Sequence, residues 1–248
     1  MGRNPIRSFT ALGVPIMNQA ASELLDRMIK ERQALISSGT LQSQLQEFKE
    51  KYPDEYSDPR YDFLDAVNLY DRSVKAGMKS PQQYIDLLEQ FTGIDTGSNT
   101  QLRFYVPNYA LLCARNAGTP HDNEVPKYFQ QAETAASNLP DDERDEALGH
   151  LHYNVARWLH KKECLEEAIP HWKSASMHRL TFYGLLKAAG NEPYDRLLAA
   201  AQQVAKMRSD FPAFFKDKDV DECGVEAKIL DELKADFPKD LDKFSAKP

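Results

Sequence analysis

His152, His160, Cys164 and His171 fall in one short stretch of the chain together with the carboxylates of Glu163, Glu166 and Glu167. Imidazole, thiolate and carboxylate are the groups that hold transition metals and move protons, so this stretch is where metal or acid–base chemistry would be sought first. On one continuous helix His160 and Cys164, four apart, would share a face as zinc ligands do; a break between them would separate the two. The stretch holds no His-Glu-x-x-His pattern.

A second pattern carries binding rather than bond-making chemistry. Asn68 precedes Lys75, Asn108 precedes Arg115 and Asn154 precedes Lys161, each by seven residues. Residues seven apart lie on one helix face. A carboxamide hydrogen-bonds a peptide main chain whatever its side chains, and a neighbouring base attracts an acidic segment.

Other chemistries find less. Asp217, Asp219 and Asp221 imitate the start of a calcium loop, but Glu222 stands where the loop needs Gly and Lys228 where it needs its bidentate Glu, so a solvated acidic turn is expected. There is no glycine-rich phosphate loop, nucleotide fingerprint or nucleophile elbow. The acidic pairs Asp141-Asp142 and Glu166-Glu167 sit beside expected helix starts, where negative charge suits the helix dipole. The expectation is no catalysis, no cofactor and no resident metal.

The elements that position these residues are helices. The 248 residues can bury a full core, glycine is scarce at 11, and no run of alternating β-branched residues is bounded by hairpin turns. Net charge is −7, which gives no overall attraction to nucleic acid or an anionic membrane. No apolar run reaches the roughly 20 residues of a membrane-spanning helix, and membrane insertion is not expected. Cys113, Cys164 and Cys223 are too far apart for a Cys-x-x-Cys pair and odd in number, which suits a reducing compartment, the cytoplasm. Arg3 and Arg7, with no acid before Glu23, offer organelle targeting as the alternative to a short disordered start.

Apolar periodicity divides the chain into a flexible segment over 1–16, an N-terminal helical hairpin or cap over 17–57, a region of helical pairs over 58–210, and a capping helix with a tail over 211–248. In the first hairpin Leu24, Leu25, Met28, Ile29 and Leu35 make one stripe, and Leu41, Leu45 and Phe48 another. The pairs are 61–76 with 81–91, 100–117 with 125–138, 141–162 with 165–177, and 179–189 with 193–207. Val225, Ile229, Leu233 and Phe237 recur every fourth residue, as suits a helix closing the end of a stack. Repeated hairpins of this kind point to an all-α solenoid.

The pair over His152 to Ala175 resembles a tetratricopeptide repeat. Val155-Ala156 stand for its Leu-Gly pair, Leu159 for its Tyr, Ala168 for its first Ala, Trp172 for its aromatic and Ala175 for the next Ala. His152 replaces the usual Trp, Glu163 occupies a turn where Gly is common, and Leu180 replaces the closing Pro. The resemblance covers about residues 61–207 and implies a right-handed superhelical stack of antiparallel hairpins. It puts a turn at Glu163, which separates His160 from Cys164, and gives His152 and His171 packing or surface roles.

In that family the first helix of each hairpin lines a concave groove, and an Asn just before the Leu-Gly pair holds a bound peptide. The implied groove residues are Asn68, Lys75, Asn108, Arg115, Tyr153, Asn154, Arg157 and Lys161, with Asn154 the best match. The chaperone-tail clamp of some members is matched only at Asn154. The function implied is an adaptor for a partner protein or peptide, the bases of the groove suiting one with an acidic segment. Two alternatives remain: a structural subunit or self-assembling scaffold using the convex face or terminal helices, and a metal-dependent regulator or enzyme using the histidines and Cys164.

Overall fold

The computed structural model describes residues 18–78, 80–190 and 194–210, together with Leu233, Ala235 and Phe237. Val225, Ile229, Cys223, the acidic turn at Asp217 to Glu222, and Arg3 and Arg7 lie outside the described residues. Within them the chain is all-α: α1 (Gln19–Ser38), α2 (Leu41–Lys51), α3 (Pro59–Lys75), α4 (Pro81–Thr92), α5 (Thr100–Ala117), a short 3-10 helix (His121–Glu124), α6 (Val125–Ala136), α7 (Asp141–Lys161), α8 (Leu165–Ala189) and α9 (Tyr194–Asp210). No strand occurs among the described residues.

Local chemistry sets many of these boundaries. Asn18, Asp58 and Asn99 each accept a backbone N–H of the following helix, from Ala20 at 2.9 Å, Arg60 at 2.7 Å and Leu102 at 2.8 Å, satisfying donors that helix starts leave open. Pro59 and Pro81 occupy first-turn positions where a missing N–H costs nothing. Ser80 holds the cap position of α4 without a side-chain bond, and Pro140 rather than an aspartate caps α7. Asp141 instead lies in the first turn, 2.7 Å from Arg144.

The chain divides into two compact units between Glu124 and Val125. The first is built around α5, whose residues 104–111 are all buried, so this helix is surrounded rather than amphipathic. Phe91 and Tyr109 stack at 5.1 Å, and Phe63 packs on Tyr105 at 6.1 Å. The guanidinium of Arg32 on α1 lies 3.4 Å from the centre of the Tyr105 ring. Leu25, Met28, Ile29 and Leu35 are buried as the apolar stripe of α1 predicts, as are Leu41, Leu45 and Phe48 on α2. Arg60 ties α3 to α1 by donating to Asp58 and, across the two helices, to Asp26 at 2.8 Å and Ser22 at 3.0 Å.

The second unit is built on the hairpin of α7 and α8. Ala156, Ala168 and Ala175 are at most 1 % exposed, and Trp172 is 2 % exposed between the helices. Such small residues let two helices approach until their ridges and grooves interlock. Val155 and Leu159 are buried in the same hairpin. The turn falls where the repeat pattern puts it: Glu163 adopts φ 63°, in the left-handed region that disfavours a side chain. Beyond the hairpin, Phe182, Tyr183 and Leu186 of α8 pack with Ala201 and Val204 of α9, and Leu233 and Phe237 join that cluster.

One boundary differs from the sequence reading. A break between Met177 and Arg179 was expected, yet α8 runs unbroken to Ala189, and Gly190 in the left-handed conformation ends it. Residues 177–180 hold no Gly or Pro to stop a helix, and Ser176, Arg179, Phe182 and Tyr183 carry its buried face straight through.

The tightest approach in the hairpin is at Gly149. A Cβ there would lie 2.9 Å from Arg179 Cγ and 3.4 Å from its backbone nitrogen, whereas one at the exposed Gly184 of α8 would meet nothing within 4 Å. Gly149→Val is therefore expected to lower unfolding free energy by about 1–3 kcal/mol through overpacking, and Gly184→Ala to raise it by about 0.5–1 kcal/mol through helix propensity; urea unfolding measures both. Glu163→Gly is expected to stabilise by roughly 0.5–1 kcal/mol, since relief of the left-handed conformation exceeds the entropy that glycine adds to the unfolded chain. Thermal denaturation checks this one.

Candidate functional site

The eight residues expected to bind a partner fall on three helices. Asn68 and Lys75 are on α3 and Asn108 and Arg115 on α5, all in the first unit; Tyr153, Asn154, Arg157 and Lys161 are on α7 in the second.

In the first unit several are already engaged. Lys75 is exposed, but its Nζ lies 2.8 Å from Asp71 Oδ2 and donates to the Ile36 carbonyl at 3.1 Å. Asn68 is half-buried. Asn108 is buried because α5 is enclosed on every side, and its Oδ1 has no hydrogen-bond partner among the described residues. Arg115 is half-buried near the end of α5, close enough to Tyr70 and Cys113 to temper the upward push that burial gives the pKa of each.

On α7 the set splits between inside and outside. Tyr153 is a core residue: its ring meets Trp172 edge-on at 5.6 Å and carries the Arg179 guanidinium at 4.1 Å. Arg179, itself buried, also donates to the Gln203 carbonyl at 3.0 Å and so links α8 to α9. Asn154 is half-buried, while Arg157 and Lys161 are exposed. Arg157 reaches the Tyr153 ring at 5.7 Å, and neither base has an ion-pair partner among the described residues.

The histidines occupy a different face of the same hairpin. His152 of α7 and His171 of α8 meet through their Nδ1 atoms at 3.0 Å, and Phe129 of α6 lies edge-on to both rings, at 5.3 and 4.9 Å. His178, one further pair of turns along α8, stacks on His152 at 5.9 Å with an interplanar angle of 12° and bonds Asp145 of α7 at 2.7 Å. Glu133 of α6 stands 3.6 Å from His152 Nε2. Burial lowers the basicity of His152, to about 4, helped by the neighbouring His171 and His178, and burial also lowers His171.

His152 is buried, whereas the resemblance leaves packing and surface roles open for it, and His178, not singled out from the sequence, joins it. The signal was there: His171 and His178 are seven apart, hence on one face of α8, and an antiparallel partner returns His152 to that face. As metal ligands the side chains do not fit, since among the described residues no three His, Cys, Asp or Glu groups converge on a point where an ion would bind. His160 is exposed at the end of α7, and Cys164, with Sγ 3.6 Å from the Lys162 carbonyl, lies beyond the Glu163 turn.

Comparison with known families, with curated proteins and with solved structures finds no match to this chain. Among the described residues no helix is long and apolar enough to cross a membrane.

The two described cysteines differ in burial. Burial pushes the Cys113 thiol up to about 12, while Cys164 is only half-buried. Brief treatment of the native protein with iodoacetamide at pH 8, followed by peptide mass mapping, is expected to label Cys164 at least about tenfold faster than Cys113, a difference that denaturant removes.

Proposed function

We propose that this protein is a non-enzymatic adaptor, a tetratricopeptide-like stack of helical hairpins that holds a segment of a partner protein. The observation that carries the reading is on α7. Arg157 and Lys161 are exposed, uncompensated by any described acid, and set on the same side of the helix as the half-buried Asn154, in a chain whose net charge is −7. Paired bases beside a carboxamide suit an extended acidic segment, whose main chain the Asn would bond and whose charge the bases would attract. The burial of Ala156, Leu159, Ala168, Trp172 and Ala175 supports the hairpin on which the family resemblance rests. Asn68, Asn108, Lys75 and Arg115 are secondary to this face, because burial or internal bonds occupy most of them. Cytoplasmic residence accords with this reading.

A structural subunit or scaffold is the second reading. It is favoured by Leu165, Ile169, Met177 and Leu185, apolar residues of α8 that are 39–59 % exposed.

A pull-down from source-cell lysate, read by mass spectrometry, separates the two. The Arg157→Glu, Lys161→Glu variant, with helicity checked by circular dichroism, is expected to lose its dominant partner by about tenfold, near 1.4 kcal/mol. Undiminished recovery by the folded variant would reject the α7 face and turn attention to α8.

A further inference from the structure

The histidine seam belongs to neither a metal site nor the proposed binding face, yet it brings three imidazoles and two carboxylates together where α6, α7 and α8 meet. We propose that this seam is an acid-sensitive latch: the neutral His152–His171 pair holds the Phe129 flank of α6 against the α7–α8 hairpin, and proton uptake by the pair loosens α6 while the contact of α8 with α9 stays closed.

The geometry requires at least one neutral ring. With Nδ1 facing Nδ1 at 3.0 Å, one nitrogen donates and the other accepts. A proton added to either ring puts a charge in a buried site beside other imidazoles, and a second sets N–H against N–H and joins two positive charges at hydrogen-bond distance. His178, stacked on His152 at 5.9 Å, brings a third titratable ring.

The acids facing the seam do not cancel this. Asp145 of α7 is engaged by His178 at 2.7 Å. Glu133 of α6 stands 3.6 Å from His152 Nε2, too far for a hydrogen bond, and its side chain is 46 % exposed, so solvent screens its pull. α6 buries Val125, Tyr128, Ala132 and Ala136, and on the flank of that stripe its half-buried Phe129 touches both His152 and His171. Separation of that pair therefore withdraws the Phe129 contact and loosens α6 on that flank. The cluster of α8 with α9, Leu233 and Phe237 contains no histidine and has no reason to respond with it.

The direction with pH follows from the shift. A released His152 titrates near the ordinary histidine value of 6.5, but in the seam burial and its neighbours bring it down to about 4. Below 6.5 the open form takes up the proton and the closed form does not. Closure is thus at full strength above pH 6.5 and weakens as pH falls toward 4, with His171 adding in the same direction. Between pH 7 and 4.5 the closing equilibrium should fall on the order of 100-fold from His152 alone.

Hydrogen–deuterium exchange of the full chain at pH 7 and 4.5, corrected for intrinsic rates, tests the latch. Peptides over 125–136 are expected to lose at least about tenfold of their protection at the lower pH while those over 194–205 keep theirs. The paired variant His152→Leu, His171→Leu should abolish the difference. If that variant does not fold, histidine ring resonances of the wild type followed by NMR supply the same decision, with His152 expected to titrate well below 6. Unchanged protection of α6, simultaneous loss over α6 and α9, the same pH response in the folded paired variant, or a His152 titration near 6.5 would each overturn the proposal.

Discussion

Gly149 faces Arg179 so closely that no side chain fits between them, and along the same two helices Ala156, Ala168 and Ala175 leave nothing exposed. The second unit depends on this approach of α7 to α8. Around that approach Tyr153, Trp172 and Arg179 make one set of contacts across the hairpin, and His152, His171 and His178 another. Arg179 illustrates the consequence. A guanidinium is costly to bury, and it is held here because a Tyr153 ring face and the Gln203 carbonyl both lie within its reach. The first unit solves its packing differently, by surrounding one helix, α5, with aromatic rings instead of matching small residues across a seam.

These two solutions account for which parts of the chain can be read without coordinates. Caps and breakers act over three or four residues, so α3, α4, α5 and α6 begin within two residues of the starts at 61, 81, 100 and 125 that the sequence pattern indicates. The hairpin of α7 and α8 is legible because its small residues recur at spacings that only close helix packing explains. The continuation of α8 past Met177 is harder to see. The single residue between helices expected over 165–177 and 179–189 looks like a joint when repeats are sought, though the chain itself has no residue there that ends a helix.

Side-chain environments were less legible than elements. The Asn and base of each seven-residue pair do share a helix, but periodicity gives relative direction and leaves open which direction is buried. Asn108 and Asn154 have the same local pattern, and one is enclosed because α5 is central while the other remains half-exposed. Tyr153, adjacent to Asn154, turns inward as any neighbour a third of a turn away can. The histidine seam has the complementary property: its members come from three helices, so no window of sequence short enough to scan holds the whole set.

Trp158 and Trp172 are the chain's two tryptophans, and both lie in the second unit, one half-buried on α7 and the other enclosed on α8. The first unit has rings in plenty, but they are phenylalanine and tyrosine. Indole emission excited at the red edge of the protein's absorption therefore originates in one half of the molecule alone. The chain thus carries a native optical probe with which melting of its two halves can be told apart, without any label.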